Sequence, residues 1–289
     1  MADLLAQTAL NALYAASYIS LIAVGLVLIF GVMGIINFAH GELYMAGAYA
    51  IVALYADVGL PFLLAVTLGL VFVGLLGLLM EQTLFRPLRD NPLGGLVASI
   101  GFLMILQALA VLGFGVRMEH IPPVTQEVIA FSDRVRLPVS RLLVILAAVV
   151  LLAALWYFLR RTRFGWALLA SSQDAEAAAL QGISINQTAR IAMFIGAALA
   201  GIAGALTAPL VSVNPFMGHS VIVTAFIVII VGGMGSLEGA VIASILYAFV
   251  HTFVTTFADG VVADIIGLLL MLLVLVIRPH GLFGKPDRA

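Results

Sequence analysis

The sequence predicts an all-α polytopic membrane protein with eight or nine transmembrane helices, and three observations lead there. Of 289 residues, 64% are hydrophobic and 9% are charged, where soluble domains carry roughly a quarter charged residues. The mean hydropathy is +1.22. The apolar residues fall in runs long enough to cross a bilayer, and the runs lack the two-residue alternation of barrel strands. In hydrocarbon an unclosed chain satisfies its backbone polar groups only as helix.

The passes fall at 10–32, 36–56, 61–80, 93–115, 141–159, 190–210, 219–235, 238–257 and 261–278. The first has no basic residues before it, only Asp3, so it reads as a retained helix rather than a cleaved signal peptide. The second is polar at its start. Without its first residues only about 14 apolar positions remain, too few to span, and including them brings in Asn37, His40 and Glu42. Gly31, Gly34 and Gly41 flank these three, so a break in the helix is expected there, as in the broken helices that line many transport paths. The alternative is a hydrogen-bonded cap holding two helices together. The segment 219–235 is short and ends in Gly232-Gly233-Met234-Gly235, yet it reads as a crossing, because a re-entrant loop would invert the charge balance that follows.

The loops 81–92, 160–190 and 278–289 hold nine of the 13 Lys and Arg residues, and the opposite loop 116–141 holds the other four. Positive residues favour the cytoplasm, so the N-terminus is expected outside and the C-terminus inside. The outer segment 116–140, with Pro122, Pro123 and Pro138, has room for a short hairpin. Arg160, Arg161, Phe164 and Trp166 read as an interfacial anchor. No strong internal repeat is visible.

Much is excluded. The chain has no cysteine, so disulfides and thiolate chemistry are absent. A net charge of −1 without a basic cluster gives no nucleic-acid footprint. No catalytic arrangement, cofactor motif or set of metal ligands stands out. The chain's single lysine, Lys285, lacks the glycine spacing of a phosphate loop. Most helix cores are free of ionisable groups, with His40, Glu42 and His251 the main exceptions, where ion-coupled carriers commonly bury several. The chain is thus a passive pore, or its energy comes from another subunit.

The loop 160–189 bears on that choice. Residues 171–182 read as a short complete helix: Ser171 or Ser172 as cap, Asp174 and Glu176 at the favourable end of the dipole, Gly182 as stop. Ala177 and Ala178 allow close approach of another protein. Such a helix rests on the membrane surface or couples to an ATPase. Glu176-Ala177-Ala178…Gly182 resembles the EAA…G loop of ABC importer permeases. Asn37-Phe38-Ala39-His40-Gly41-Glu42-Leu43-Tyr44-Met45 resembles a signature of LivH-type permeases of branched-chain amino acid ABC importers. So do Gly232-Gly233-Met234-Gly235-Ser236-Leu237-Glu238-Gly239-Ala240 and Arg278-Pro279-His280-Gly281-Leu282-Phe283-Gly284.

The resemblance implies a single transmembrane permease domain over 1–289 with its coupling loop at 160–189, in a bacterial inner membrane. The implied partners are two ABC ATPase subunits, a second LivM-type permease and a periplasmic substrate-binding protein. It fixes the machine better than the cargo, since relatives with similar motifs serve urea and short amides. A self-sufficient carrier or channel for such a solute is the alternative class. Gly232, Gly233, Gly235 and Gly239 read as a structural turn, and Glu238 as an ATPase contact or a helix cap. Gly196, Ala200 and Gly204, like Gly235, Gly239 and Ala243, are spaced for close helix packing. His251 reads as a hydrogen-bonded interior histidine.

Overall fold

A computed structural model describes residues 1–284; Lys285 and Arg288 of the charge balance lie outside them. The chain is α-helical, with α1 (Ala2–Met33), α2 (His40–Ile51), α3 (Phe62–Met80), α4 (Pro92–Phe114), α5 (Val139–Arg161), α6 (Arg163–Gln173), α7 (Ala175–Leu180), α8 (Ile185–Thr207), α9 (Met217–Gly232), α10 (Leu237–Phe257) and α11 (Gly260–Ile277). Wider π-helical turns extend α2 over Val52–Asp57 and α3 over Glu81–Phe85. A hairpin of β1 (Val128–Ala130) and β2 (Arg136–Pro138) occupies the segment expected to have room for one. Seven helices are long and apolar enough to cross a membrane, and α9 is a shorter apolar helix. The expected all-α polytopic architecture is what the chain has.

Two boundaries depart from expectation. The first helix starts at Ala2, well before residue 10. The second pass is not helical from residue 36. Gly34, at φ 65°, turns left-handed and donates its N–H to the Phe30 carbonyl, which ends α1. The chain then runs without regular structure to His40, where α2 begins.

Side-chain contacts sort the loops into two ends. At the first, the Arg136 amide donates to Gln7, Arg141 donates to Asn11, and Glu119 forms a bridge with Val213. At the other, Arg89 donates to Asn186 at 2.7 Å and Arg160 pairs with Glu238 at 3.1 Å. The Leu282 and Phe283 amides there donate to Val231 and Gly232. The segment from Val213 through α9 to Gly232 therefore connects the two ends.

A repeat absent from the sequence reading emerges from these directions. Helices α1 to α4 follow the order long, broken, long, long, and α8 to α11 follow it again with every direction reversed. The joints match in detail. Asn37 Oδ1 accepts from the Ala39 amide and Asn214 Oδ1 from the Phe216 amide, both at 3.0 Å. The Asn37 carbonyl then accepts from His40 N and the Asn214 carbonyl from Met217 N. Only the spacing Asn37…Gly41 and Asn214…Gly218 marks this in the sequence, because the helices are otherwise filled by interchangeable apolar residues.

Helices α1 and α8 form the centre of the bundle, each 78% buried over its apolar stretch, against 28% for α4 and α5. Lipid is as apolar as the side chains, so close packing rather than water exclusion holds such helices together. The glycines permit it: Gly25 lies on the Gly196 carbonyl, Gly47 on that of Gly201, and Gly204 on that of Tyr44.

Candidate functional site

The joints before α2 and α9 place two helix N-termini inside the bundle. His40 Nε2 meets the Ile22 carbonyl at 3.1 Å, eleven residues before Met33 in α1 (33 − 22), or roughly 16 Å at the rise of an α-helix. The start of α2 thus sits about half-way through a ~30 Å hydrocarbon layer. Helix α9 runs the opposite way and crosses α2 at its own first turn, with Gly41 against the Gly218 carbonyl. A β-carbon at Gly41 would hold the helices apart, and one at Gly218 would press on the Glu42 carboxylate.

The three expected residues come together there, all fully buried, but with different tasks. Asn37 builds the turn that starts α2 through Oδ1. His40 pins α2 to α1. Glu42 points toward α9, its carboxylate lying against Gly218. Its Oε1 accepts from Gln107 Nε2 of α4 at 2.9 Å, while its Oε2 has no partner among the described residues, an arrangement that costs on the order of 1–3 kcal/mol or more for a buried carboxylate oxygen. The same Gln107 amide reaches His219 Nδ1 at 3.4 Å. His219 stands five residues after Asn214, as Glu42 stands five after Asn37, so the two are equivalents in the repeat. Reading the sequence for motifs missed Gln107 and His219. Gln107 is a single polar residue in an apolar run and His219 stands beside Ser220 at the start of one, and no local signal separates either from an ordinary helix position.

The loop residues lie at the other end. Asp174, not Ser171 or Ser172, caps α7, accepting from the Ala177 amide at 2.9 Å. Ser171 and Ser172 belong to α6, so the expected single helix over 171–182 is two helices with the break at Asp174. An aspartate with extended backbone is the better cap because its side chain reaches the N3 amide. Gly182 follows at φ 83°, a left-handed residue closing the turn. Glu176 and Ala177 are exposed, whereas Ala178 faces the bundle. Leu180 at the tip is 83% exposed.

The glycine turn lies beside this end. Gly232 and Gly239 pack back to back; Gly233 (φ 106°) lies against His280 and Gly284, and Gly235 (φ 94°) turns in open space. Ser236 caps α10, and Glu238 pairs with Arg160 on the surface. His251 is not interior. It lines a cleft of about 140 Å3 between α1, α9 and α10 and meets Asp264 at 3.0 Å. Among the described residues no three His, Asp or Glu side chains are grouped to hold a metal.

Comparison with known proteins matches this architecture end to end. The chain is 30% identical to the high-affinity branched-chain amino acid transport system permease protein LivH of Escherichia coli K12, over 97% of this chain and 96% of that one. It is as similar to the permease protein BraD of Pseudomonas aeruginosa, at 30% over the same shares. To the E. coli permease LivM it is 27% identical, over 91% of this chain and 67% of the relative. Among solved structures, PsaBC from Streptococcus pneumoniae in complex with Fab shares the fold, with a TM-score of 0.53 over 93% of this chain and 91% of that one at 16% identity. Residues 8–276 match the family described as branched-chain amino acid transport system / permease component, and the chain belongs to that family as a multi-pass membrane permease.

Proposed function

We propose that the chain is the transmembrane permease of an ABC importer for branched-chain amino acids, working as one domain over 1–289 in a bacterial inner membrane. Its end-to-end likeness to LivH and BraD carries this reading. Two ABC ATPase subunits, a LivM-type second permease and a periplasmic binding protein complete the machine. The N-terminus faces the periplasm and the C-terminus the cytoplasm, because seven cations of the described residues gather on the α6–α7 side, against four on the hairpin side. Asp174, Glu176, Ala177, Ala178 and Gly182 form the coupling loop. Its exposed Ala177 and Leu180 supply the small, apolar contact that a groove on an ATPase accepts. The path runs past the joint of Asn37, His40 and Glu42.

The test is reconstitution. Vesicles holding both permeases and both ATPases, given binding protein and ATP, take up leucine, isoleucine or valine. Uptake by the purified chain alone would favour the self-sufficient carrier, and uptake of urea or an amide instead would replace the cargo but keep the machine.

A further inference from the structure

Polar side chains in the middle turns of membrane helices face the protein interior or water, not lipid. The middle turns of α5 and the later turns of α3 obey this, exposing Val71, Phe72, Leu75, Leu146, Val149 and Val150, and the exposed Thr67 of α3 turns its hydroxyl back to the Leu63 carbonyl. The face around α9 does not. His219 and Ser220 are exposed on its first turn. Gln107 of α4 stands on one side, and Thr224 and His251 line the cleft on the other. Asp264 of α11, bonded to His251, is 71% exposed. Behind this row lies the buried, unpartnered Oε2 of Glu42 at the α9 N-terminus.

The chemistry of the row is paired. Glu42 and Asp264 offer carboxylate oxygens. With the Gln107 amide donating to Glu42 Oε1 and His219 Nδ1, the His219 ring carries its hydrogen on Nε2 and presents a donor, as does the exposed Ser220 hydroxyl, and the Thr224 hydroxyl beside them is shared with Tyr247. Donors for a carboxylate thus line the α9 face and an acceptor for an ammonium stands at its α11 edge, with Phe216 and Val223 exposed as apolar ground. A neutral amide or urea needs no such charge pair, whereas a zwitterion crossing hydrocarbon does.

We propose that this face, from Gln107 of α4 across the first turn of α9 to Asp264 of α11, is the transit site for the charged head group of an α-amino acid with an apolar side chain. The proposal deepens the importer reading and rests on it. The ammonium passes the exposed Asp264 carboxylate at the α11 edge, with Glu42 buried behind the first turn of α9. The α-carboxylate takes hydrogen bonds from His219, Ser220 and Thr224, and the side chain rides on Val223 and Phe216.

The chain has no native cysteine, so single cysteines report the face directly. His219→Cys, Thr224→Cys and Asp264→Cys are placed one at a time in the complete four-subunit complex in vesicles, with Leu68→Cys and Val149→Cys as lipid-facing controls. A cationic methanethiosulfonate reagent, which needs water at its target, should label the first three faster than the controls. Labelling should abolish the ATP-driven leucine uptake that the His219 and Thr224 cysteine variants retain, and leucine with binding protein and ATP should slow the labelling. Asp264→Asn should lose about tenfold or more of the uptake rate at full complex yield, the loss expected for one charge-assisted hydrogen bond. Because Glu42 is buried, the decision rests on the exposed His219 and Asp264 and the half-buried Thr224. Labelling no faster than the controls, or full labelling with uptake unchanged, overturns the transit site while leaving the importer standing. ATP-driven carriage of urea but not leucine also overturns it. Transport by the isolated chain would instead remove the importer reading, and the same three cysteines would still decide whether this face is the path.

Discussion

At the scale of residues, the polar exceptions in an apolar chain were visible from the sequence, but not their division of labour. Asn37, His40 and Glu42 stand out because nothing polar surrounds them. That Asn37 turns the backbone, His40 ties α2 to α1 and Glu42 faces α9 depends on helices far away in the chain. The division predicts two phenotypes. His40→Ala removes a buried bond to the Ile22 carbonyl and empties the space of the ring between α2 and α1, costing about 1–3 kcal/mol; low complex yield in detergent is expected. Glu42→Gln keeps the shape and loses the charge, so yield should hold while leucine uptake falls about tenfold or more. Wild-type uptake at full yield in both variants would remove them from the path. Gly47 was not legible as special among the 28 glycines. Its carbonyl-to-helix contact with Gly201 leaves no room for a β-carbon, so Gly47→Val should push α2 from α8 at about 1–3 kcal/mol or more, seen as a lower melting temperature and lost complex.

At the scale of elements, long apolar helices were legible because twenty apolar residues have few other fates in lipid. The short ones were harder. α2 has 12 residues before its π turn, and its break at 34–39 follows from Gly34 and Asn37 acting together. α7 was placed correctly in the loop but capped by the wrong residue, since Ser171, Ser172 and Asp174 are all good caps and only tertiary packing chose among them. The exposed surface of α7 makes its own prediction. Ala178 supports the loop from beneath, so a change there tests folding rather than docking. Ala177→Arg and Leu180→Asp alter only the outward side. Each should leave the assembled permease pair intact and uncouple substrate-stimulated ATP hydrolysis from uptake. Normal stimulation in both would mean that α7 rests on the membrane surface.

At the scale of the whole molecule, the inverted repeat makes orientation a single choice. Contacts fix which loops share an end: Arg136 with Gln7 at one, Arg89 with Asn186 and Arg160 with Glu238 at the other. Turning the molecule over therefore moves every loop together, and no single pass can be reversed alone without breaking these pairs. Charge then selects the side. Arg86, Arg89, Arg160, Arg161, Arg163 and Arg190 lie with α6 and α7, and only Arg117, Arg134, Arg136 and Arg141 lie with the hairpin, near Glu119, Glu127 and Asp133. An excess of cations holds loops in the cytoplasm. Single cysteines at 125 and 130 should accordingly react with an impermeant thiol reagent in intact cells, whereas cysteines at 162 and 176 should react only after the membrane is opened. Because the loops are linked, the four positions must answer in two pairs. Labelling of 176 from outside with 125 protected would invert the molecule and place the coupling loop where no ATPase can reach it, removing the importer reading at once. Labelling of 125 and 176 together from outside would break the linkage itself, and with it the reversed directions of α1–α4 and α8–α11.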